Sequence, residues 1–221
     1  GGAVAGIVHE LSQPLAAIGI NTELLIATAD QPTDPEWQKE ILSYIHQDNQ
    51  RAAGIIERLR DFYKKGPQNH SNFVLDRLVQ GVMELSISRY KAEKVTMEAK
   101  LVPDIMVCGD QGQIEMVILN LLTNALNAMT SQTVDSQVLV QLFVEQDCAV
   151  LQVTDNGSGI AEDQQQNIFN LFHTTRTQGM GVGLWLSRTI MENHHGRLEL
   201  VQSQPFSTCF RMTMPLASQS V

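Results

Sequence analysis

His9 and Glu10 stand side by side in GIVHELSQPLAAI (6–18), a stretch that otherwise reads as an apolar helix. The order His-Glu suggests a zinc-protease helix, but that pattern needs a second histidine at the fifth position. Gln13 stands there, so the metal reading fails. What remains is an imidazole beside a carboxylate, a pair suited to proton transfer or to a nucleophile steadied by a base.

Three further groups could carry chemistry. Asn120 and Asn124 lie one turn apart in the apolar run DQGQIEMVILNLLTNALNAM, on one face of a helix. Alone, such a pair reads as two exposed polar side chains. VLQVTDNGSGI (150–160) runs a strand directly into Asp155, Gly157 and Gly159, and on its own this is an ordinary strand-end turn. GMGVGLWLSRTI (179–190) places Gly179, Gly181 and Gly183 at alternate positions before a helix. Glycines there let backbone amides approach phosphate where the helix dipole favours an anion. The spacing differs from a dinucleotide-binding fingerprint and follows a loop, not a first strand.

Two kinds of element must position these residues. From Val4 to Leu25 the positions Val4, Val8, Leu11, Leu15, Ile18, Thr22 and Leu25 form one seam. DQPTDPEW (30–37) breaks the chain, and a second helix over about 36–65 carries Ile41, Ile45, Asp48, Ala52, Ile55, Leu59 and Phe62. Both seams follow the 3.5-residue period of coiled-coil packing, with Asp48 as the one discordant member. A lone hairpin buries little, so two hairpins paired as a dimeric four-helix bundle are expected. Pro14 is expected to bend the first helix.

KKGPQNHSN (64–72) reads as a linker, giving units 1–66 and 67–221. Beyond it helices are expected at 75–90, 110–130 and 181–194. Strands are expected at 94–101, 105–108, 137–145, 149–155, 197–202 and 208–214. Strand pairs mixed with helices predict an α+β sandwich with helices on one face. Residues 156–183 hold five glycines without clear periodicity, which predicts a loop that is functional or disordered. Phe169, Leu171 and Phe172 are read there as anchors that dock with nucleotide.

A formal charge of −9 over 221 residues argues against nucleic-acid binding. No apolar run reaches membrane-spanning length, so no membrane contact is expected. Cys108, Cys148 and Cys209 fit no zinc or redox spacing and are expected to be buried thiols in a reducing, cytoplasmic setting. His46, His70, His194 and His195 carry no motif and are read as surface residues. The opening GGAVAG, without an initiator methionine, suggests a piece cut from a longer protein.

Taken in order, these motifs resemble the sensor histidine kinases of bacterial two-component systems, within the GHKL superfamily. HELSQPL resembles the phosphoacceptor box, NLLTNALNAM the N box and DNGSGI the first glycine box. IFNLFHTTR resembles the F box and GMGVGL the second glycine box. The resemblance implies a dimerisation and phosphoacceptor domain over 1–66 and an ATP-binding catalytic domain over 67–221. It implies autophosphorylation of His9 from ATP, then transfer to an aspartate on a response regulator receiver domain, by a homodimer joined through 1–66.

By the same resemblance Asn124 holds Mg²⁺, Asn120 assists at magnesium or phosphate, and Asp155 accepts the adenine amino group. Gly157 and Gly159 let the chain turn against the base. Gly179, Gly181 and Gly183 line the phosphate channel, and Arg176 reaches the phosphates in place of a common lysine. ATPases of the superfamily carry a glutamate where Asn120 stands; an amide is no general base, which implies a site that holds ATP without rapid hydrolysis. His9 follows Val8 of the seam, so at about 100° per residue it turns away from the bundle core. Glu10 is then placed to take a proton from the ring or fix its tautomer.

Overall fold

The computed structural model describes residues 2–30, 34–65, 70–129, 135–170 and 183–217, with side chains of the first two helices described only between 11 and 56. The chain divides into two compact units, Gly1–Gly66 and Pro67–Val221.

The first unit is a helical hairpin of α1 (Gly2–Ala27) and α2 (Pro35–Lys65), packed on each other. Asp34 starts α2: its Oδ1 accepts the Glu36 N–H at 3.0 Å, and Pro35 fills the first helical position, where no N–H is needed. Leu11, Ile41, Ala52 and Ile55 of the expected seams are buried, and so is Ile56. Leu15, Ile18, Leu25, Ile45 and Asp48 are half-buried. The seam side chains of Val4, Val8, Leu59 and Phe62 lie outside the described residues. Thr22 departs from the expected seam. It is exposed, and its hydroxyl donates to the Ile18 carbonyl at 2.7 Å within its own helix. Ile20, Leu24, Ile26, Leu42 and Tyr44 are exposed, as expected where two helices can cover only one stripe of each other.

The second unit is a two-layer α/β sandwich. β1 (Ser71–Val74), α3 (Leu75–Ala92), β2 (Thr96–Leu101) and β3 (Met106–Gly109) come first, followed by α4 (Gln111–Ala128). β4 (Gln137–Glu145), β5 (Cys148–Asp155), the short α5 (Glu162–Gln165), α6 (Gly183–Asn193), β6 (Arg197–Gln204) and β7 (Ser207–Pro215) complete it. Five strands form a sheet in the order β2-β4-β5-β7-β6, while β1 pairs with β3 alone. β2 runs parallel to β4 because β3 and α4 provide the crossover between them; the other pairs are antiparallel. β1 adds a strand to the expected set, and its residues fall partly in the stretch that reads as linker.

Asp110 caps α4 by accepting the Gln113 N–H at 3.1 Å. Ile114, Val117, Ile118, Leu121, Leu122, Ala125 and Leu126 form its buried stripe. That stripe packs with Val138, Val140 and Leu142 of β4 and with Leu151 and Val153 of β5 in one core, the alternate residues of each strand facing inward.

Two expectations about surface and interior are corrected. Of the cysteines only Cys209 is buried; Cys148 is half-buried and Cys108 is exposed, because alternate positions of β3 face outward. His194 is buried, not a surface residue. Its ring lies against Gly109, where a Cβ would come within 2.5 Å, and it stacks on His70 with ring centres 5.1 Å apart.

Candidate functional site

Asp155 is the last residue of β5, a central strand, so the sheet itself delivers its carboxylate to the strand end. It is only 3% exposed, and Oδ1 accepts the Gly157 N–H at 2.9 Å. A buried carboxylate requires such partners, and its two oxygens have the acceptor capacity to take a further donor such as an adenine amino group.

The turn after it is tightly held. Asn156 accepts the Gln137 N–H at 2.7 Å and donates to the Asp135 carbonyl at 2.9 Å. The Ser158 N–H donates to the Ala128 carbonyl at 3.1 Å, and the Phe206 N–H donates to the Gly157 carbonyl at 2.9 Å. A Cβ on Gly157 would meet the Ala128 carbonyl oxygen at 2.5 Å. Gly159 has φ +78°, and a Cβ there would meet the Gln204 carbonyl at 2.8 Å. Both glycines thus allow close approach of protein backbone: the turn is pressed between the end of α4 and the β6–β7 turn.

Tyr90 carries no motif in the sequence, yet the structure places it behind the site. Its hydroxyl donates to the Leu122 carbonyl at 2.7 Å, joining α3 to α4. Burial raises its pKa well above the ordinary tyrosine value, and the nearby Asp155 carboxylate adds to the rise.

Asn120 and Asn124 lie on α4, both partly buried. Asn120 Nδ2 donates to Ser187 Oγ of α6 at 3.0 Å. A Cβ on Gly183, the first residue of α6, would collide with Asn120 Oδ1. The missing side chain at Gly183 therefore makes the space in which this amide sits. The structure thus brings Asn120, Gly183 and Ser187 together across the α4–α6 contact at the middle of α4, while Asp155, Gly157 and Gly159 gather at its C-terminal end. The donor chemistry fits Mg²⁺ with a nucleotide: amide oxygens are hard ligands, and this ion keeps waters and phosphate oxygens for its other positions. Among the described residues no group of three or more His, Cys, Asp or Glu could hold a metal by itself.

The side chains of His9 and Glu10, and all of Arg176, Gly179, Gly181, Leu171 and Phe172, lie outside the described residues. Phe169, read as a nucleotide-dependent anchor, is half-buried. It packs edge-on against Phe210, with centroids 6.3 Å apart, and the Arg188 guanidinium lies 5.4 Å from its ring centre. With Ile168 buried beside it, this end of the loop belongs to the core.

Residues 1–68 match the family model of the His Kinase A (phospho-acceptor) domain. Residues 109–218 match that of the histidine kinase-, DNA gyrase B- and HSP90-like ATPase. Sensor protein FixL of Bradyrhizobium diazoefficiens is 33% identical over 220 residues, covering 98% of this chain and 43% of that protein. The catalytic domain of histidine kinase ThkA, in a nucleotide-free form, superposes with a TM-score of 0.61 at 25% identity, covering 66% of this chain and 95% of that one. ThkA in complex with response regulator protein TrrA gives 0.62 at 21% identity, covering 100% of this chain and 63% of that chain, a likeness of fold. The chain belongs to the sensor histidine kinases, as a catalytic core of that family. It spans less than half the length of the FixL protein it matches. No helix among the described residues is long and apolar enough to cross a membrane.

Proposed function

We propose that this chain is the kinase core of a two-component sensor, which phosphorylates its own His9 from ATP and donates the group to an aspartate of a response regulator. The observation that carries the reading is the buried Asp155 carboxylate, held by Gly157 beside the asparagine-bearing helix α4, in a chain whose phosphoacceptor region encloses His9. A buried acceptor selects adenine, whose exocyclic group donates, over guanine presented the same way.

In this reading Asp155 fixes the base, with Gly157 and Gly159 shaping the turn beside it. Asn124 would hold Mg²⁺, with Asn120 assisting at magnesium or phosphate, and the ion would neutralise charge at the phosphates. Gly179, Gly181 and Gly183 admit the phosphate chain at the start of α6, where the helix dipole favours it. Arg176 pairs with the terminal phosphate. The His9 imidazole forms a bond to the γ-phosphorus as the bond to the bridging oxygen of ADP breaks, and Glu10 accepts the ring proton or holds its tautomer. Asn120 cannot activate water, which favours transfer to a side chain over hydrolysis.

Residues 1–66 form the dimer through the apolar side chains that a lone hairpin leaves exposed, among them Ile20, Leu24 and Leu42. A receiver domain is the partner, as response regulator protein TrrA is for ThkA. The core acts on the cytoplasmic side, as part of a longer sensor. Incubation with ATP radiolabelled at its γ-phosphate tests the reading: the labelled chain should lose its label in acid and keep it in base, the signature of phosphohistidine. An acid-stable label, or none, contradicts it.

A further inference from the structure

We infer that Ser187 is a positioning residue for Asn120, pinning its amide at the first turn of α6 so that the oxygen is the end left for Mg²⁺; this rests on the nucleotide reading above. Ser187 lies on the α4-facing side of α6 and is 3% exposed. Its Oγ accepts from Asn120 Nδ2 at 3.0 Å. A hydroxyl buried this deeply is retained at a cost unless it is hydrogen-bonded, and here its partner is the amide assigned to the site.

Gly183 makes room for the other end of the same amide. It sits one helical turn before Ser187, and any Cβ there would occupy the place of Asn120 Oδ1. The amide is therefore bracketed: Ser187 takes its nitrogen, and the gap at Gly183 receives its oxygen. With Nδ2 engaged, Oδ1 is the end presented beside the amino end of α6, where phosphate oxygens gather. An asparagine side chain has several rotamers, and an outer partner of this kind selects one. Ser187 never touches nucleotide or metal. It acts by keeping α4 and α6 in register at one amide.

The test uses the full chain and a fluorescent, non-hydrolysable ATP analogue, with binding followed across a Mg²⁺ titration and again in excess chelator. Ser187→Ala should raise the Mg²⁺ concentration for half-maximal binding by about 10-fold, the scale expected for losing an outer-shell partner. Affinity in chelator should stay that of the wild type, and Ser187→Thr, which keeps the hydroxyl, should restore the Mg²⁺ dependence. In an Asn120→Ala background Ser187→Ala should add nothing, because a residue acting only through Asn120 has no further route. An unchanged Mg²⁺ dependence in folded Ser187→Ala, or a further effect of the same size without Asn120, overturns this inference alone. Failure of the wild-type chain to bind the analogue overturns the nucleotide reading with it.

Discussion

The imidazole Nε2 of His194 accepts the backbone N–H of Asp110 at 2.9 Å, tying the end of α6 to the residue that caps α4. The Ile190 carbonyl, 2.8 Å from Nδ1, can only accept, so Nδ1 carries the hydrogen and the ring is neutral. Burial lowers the His194 pKa below its ordinary 6.5. The Ile190 hydrogen bond opposes this, His70 and His195 add to the lowering, and Asp110 opposes it.

A depressed native value means that the folded state favours the neutral ring. The stability this contributes is fully present above about pH 6.5, the unfolded value, and is lost as pH falls toward the lower native value. Urea unfolding of the chain between about pH 7.5 and pH 5 should show this loss in the catalytic unit. In His194→Asn, which keeps a donor for Ile190 but leaves the Asp110 N–H without its acceptor, the unit should lose about 1–3 kcal/mol at neutral pH. Its stability should also fall less steeply below about pH 6.5. Identical pH slopes in both proteins would remove His194 from this role.

Asp155→Asn keeps an oxygen for the Gly157 N–H but replaces a carboxylate oxygen by an amide group that donates. Adenine-nucleotide binding should weaken by roughly 1.5–3 kcal/mol, the range for a hydrogen bond to a charged group, with little change in unfolding midpoint. Calorimetry with ADP reads this directly. An unchanged dissociation constant would take Asp155 out of the adenine site.

Phe169 packs on Phe210 beneath Arg188, so its removal should affect the fold itself. Phe169→Ala should lower the stability of the catalytic unit by about 2 kcal/mol, less than the roughly 3–5 of a fully buried ring because this one is partly exposed. Denaturant unfolding with no nucleotide added is the measurement. No loss of stability would return Phe169 to the role of a ligand-dependent anchor.

Much of this is legible in the sequence because the pattern is local. The apolar run around Ile114 to Leu126 and the alternation Val138, Val140, Leu142 each announce their element through its own period. Asp155 is legible as a carboxylate at a strand end entering a glycine turn. β1 is not, because Ser71–Val74 is too short to show alternation and exists by pairing with β3. The parallel pairing of β2 with β4 is equally hidden, since a strand's period does not name its partner. His194, Ser187 and Tyr90 share that reason. Each makes a contact to a residue 32 to 84 positions away, and nothing in the neighbouring sequence marks it.

A piece covering 1–65 should be dimeric at micromolar concentration, because Ile20, Leu24, Ile26 and Leu42 remain uncovered in the single hairpin. The complementary piece, 67–221, should be a monomer that binds ATP. Sedimentation equilibrium separates the cases, and a monomeric 1–65 would refute the four-helix bundle.

The central claim is that His9 receives phosphate from a nucleotide held by the other unit. It is tested most directly by comparing wild type and His9→Gln in paired assays, labelling from γ-radiolabelled ATP and affinity for an ATP analogue. His9→Gln should incorporate no phosphate while binding the analogue as the wild type does. Label retained in His9→Gln would contradict the assignment of the acceptor, and a parallel loss of ATP affinity would contradict the separation of acceptor from pocket.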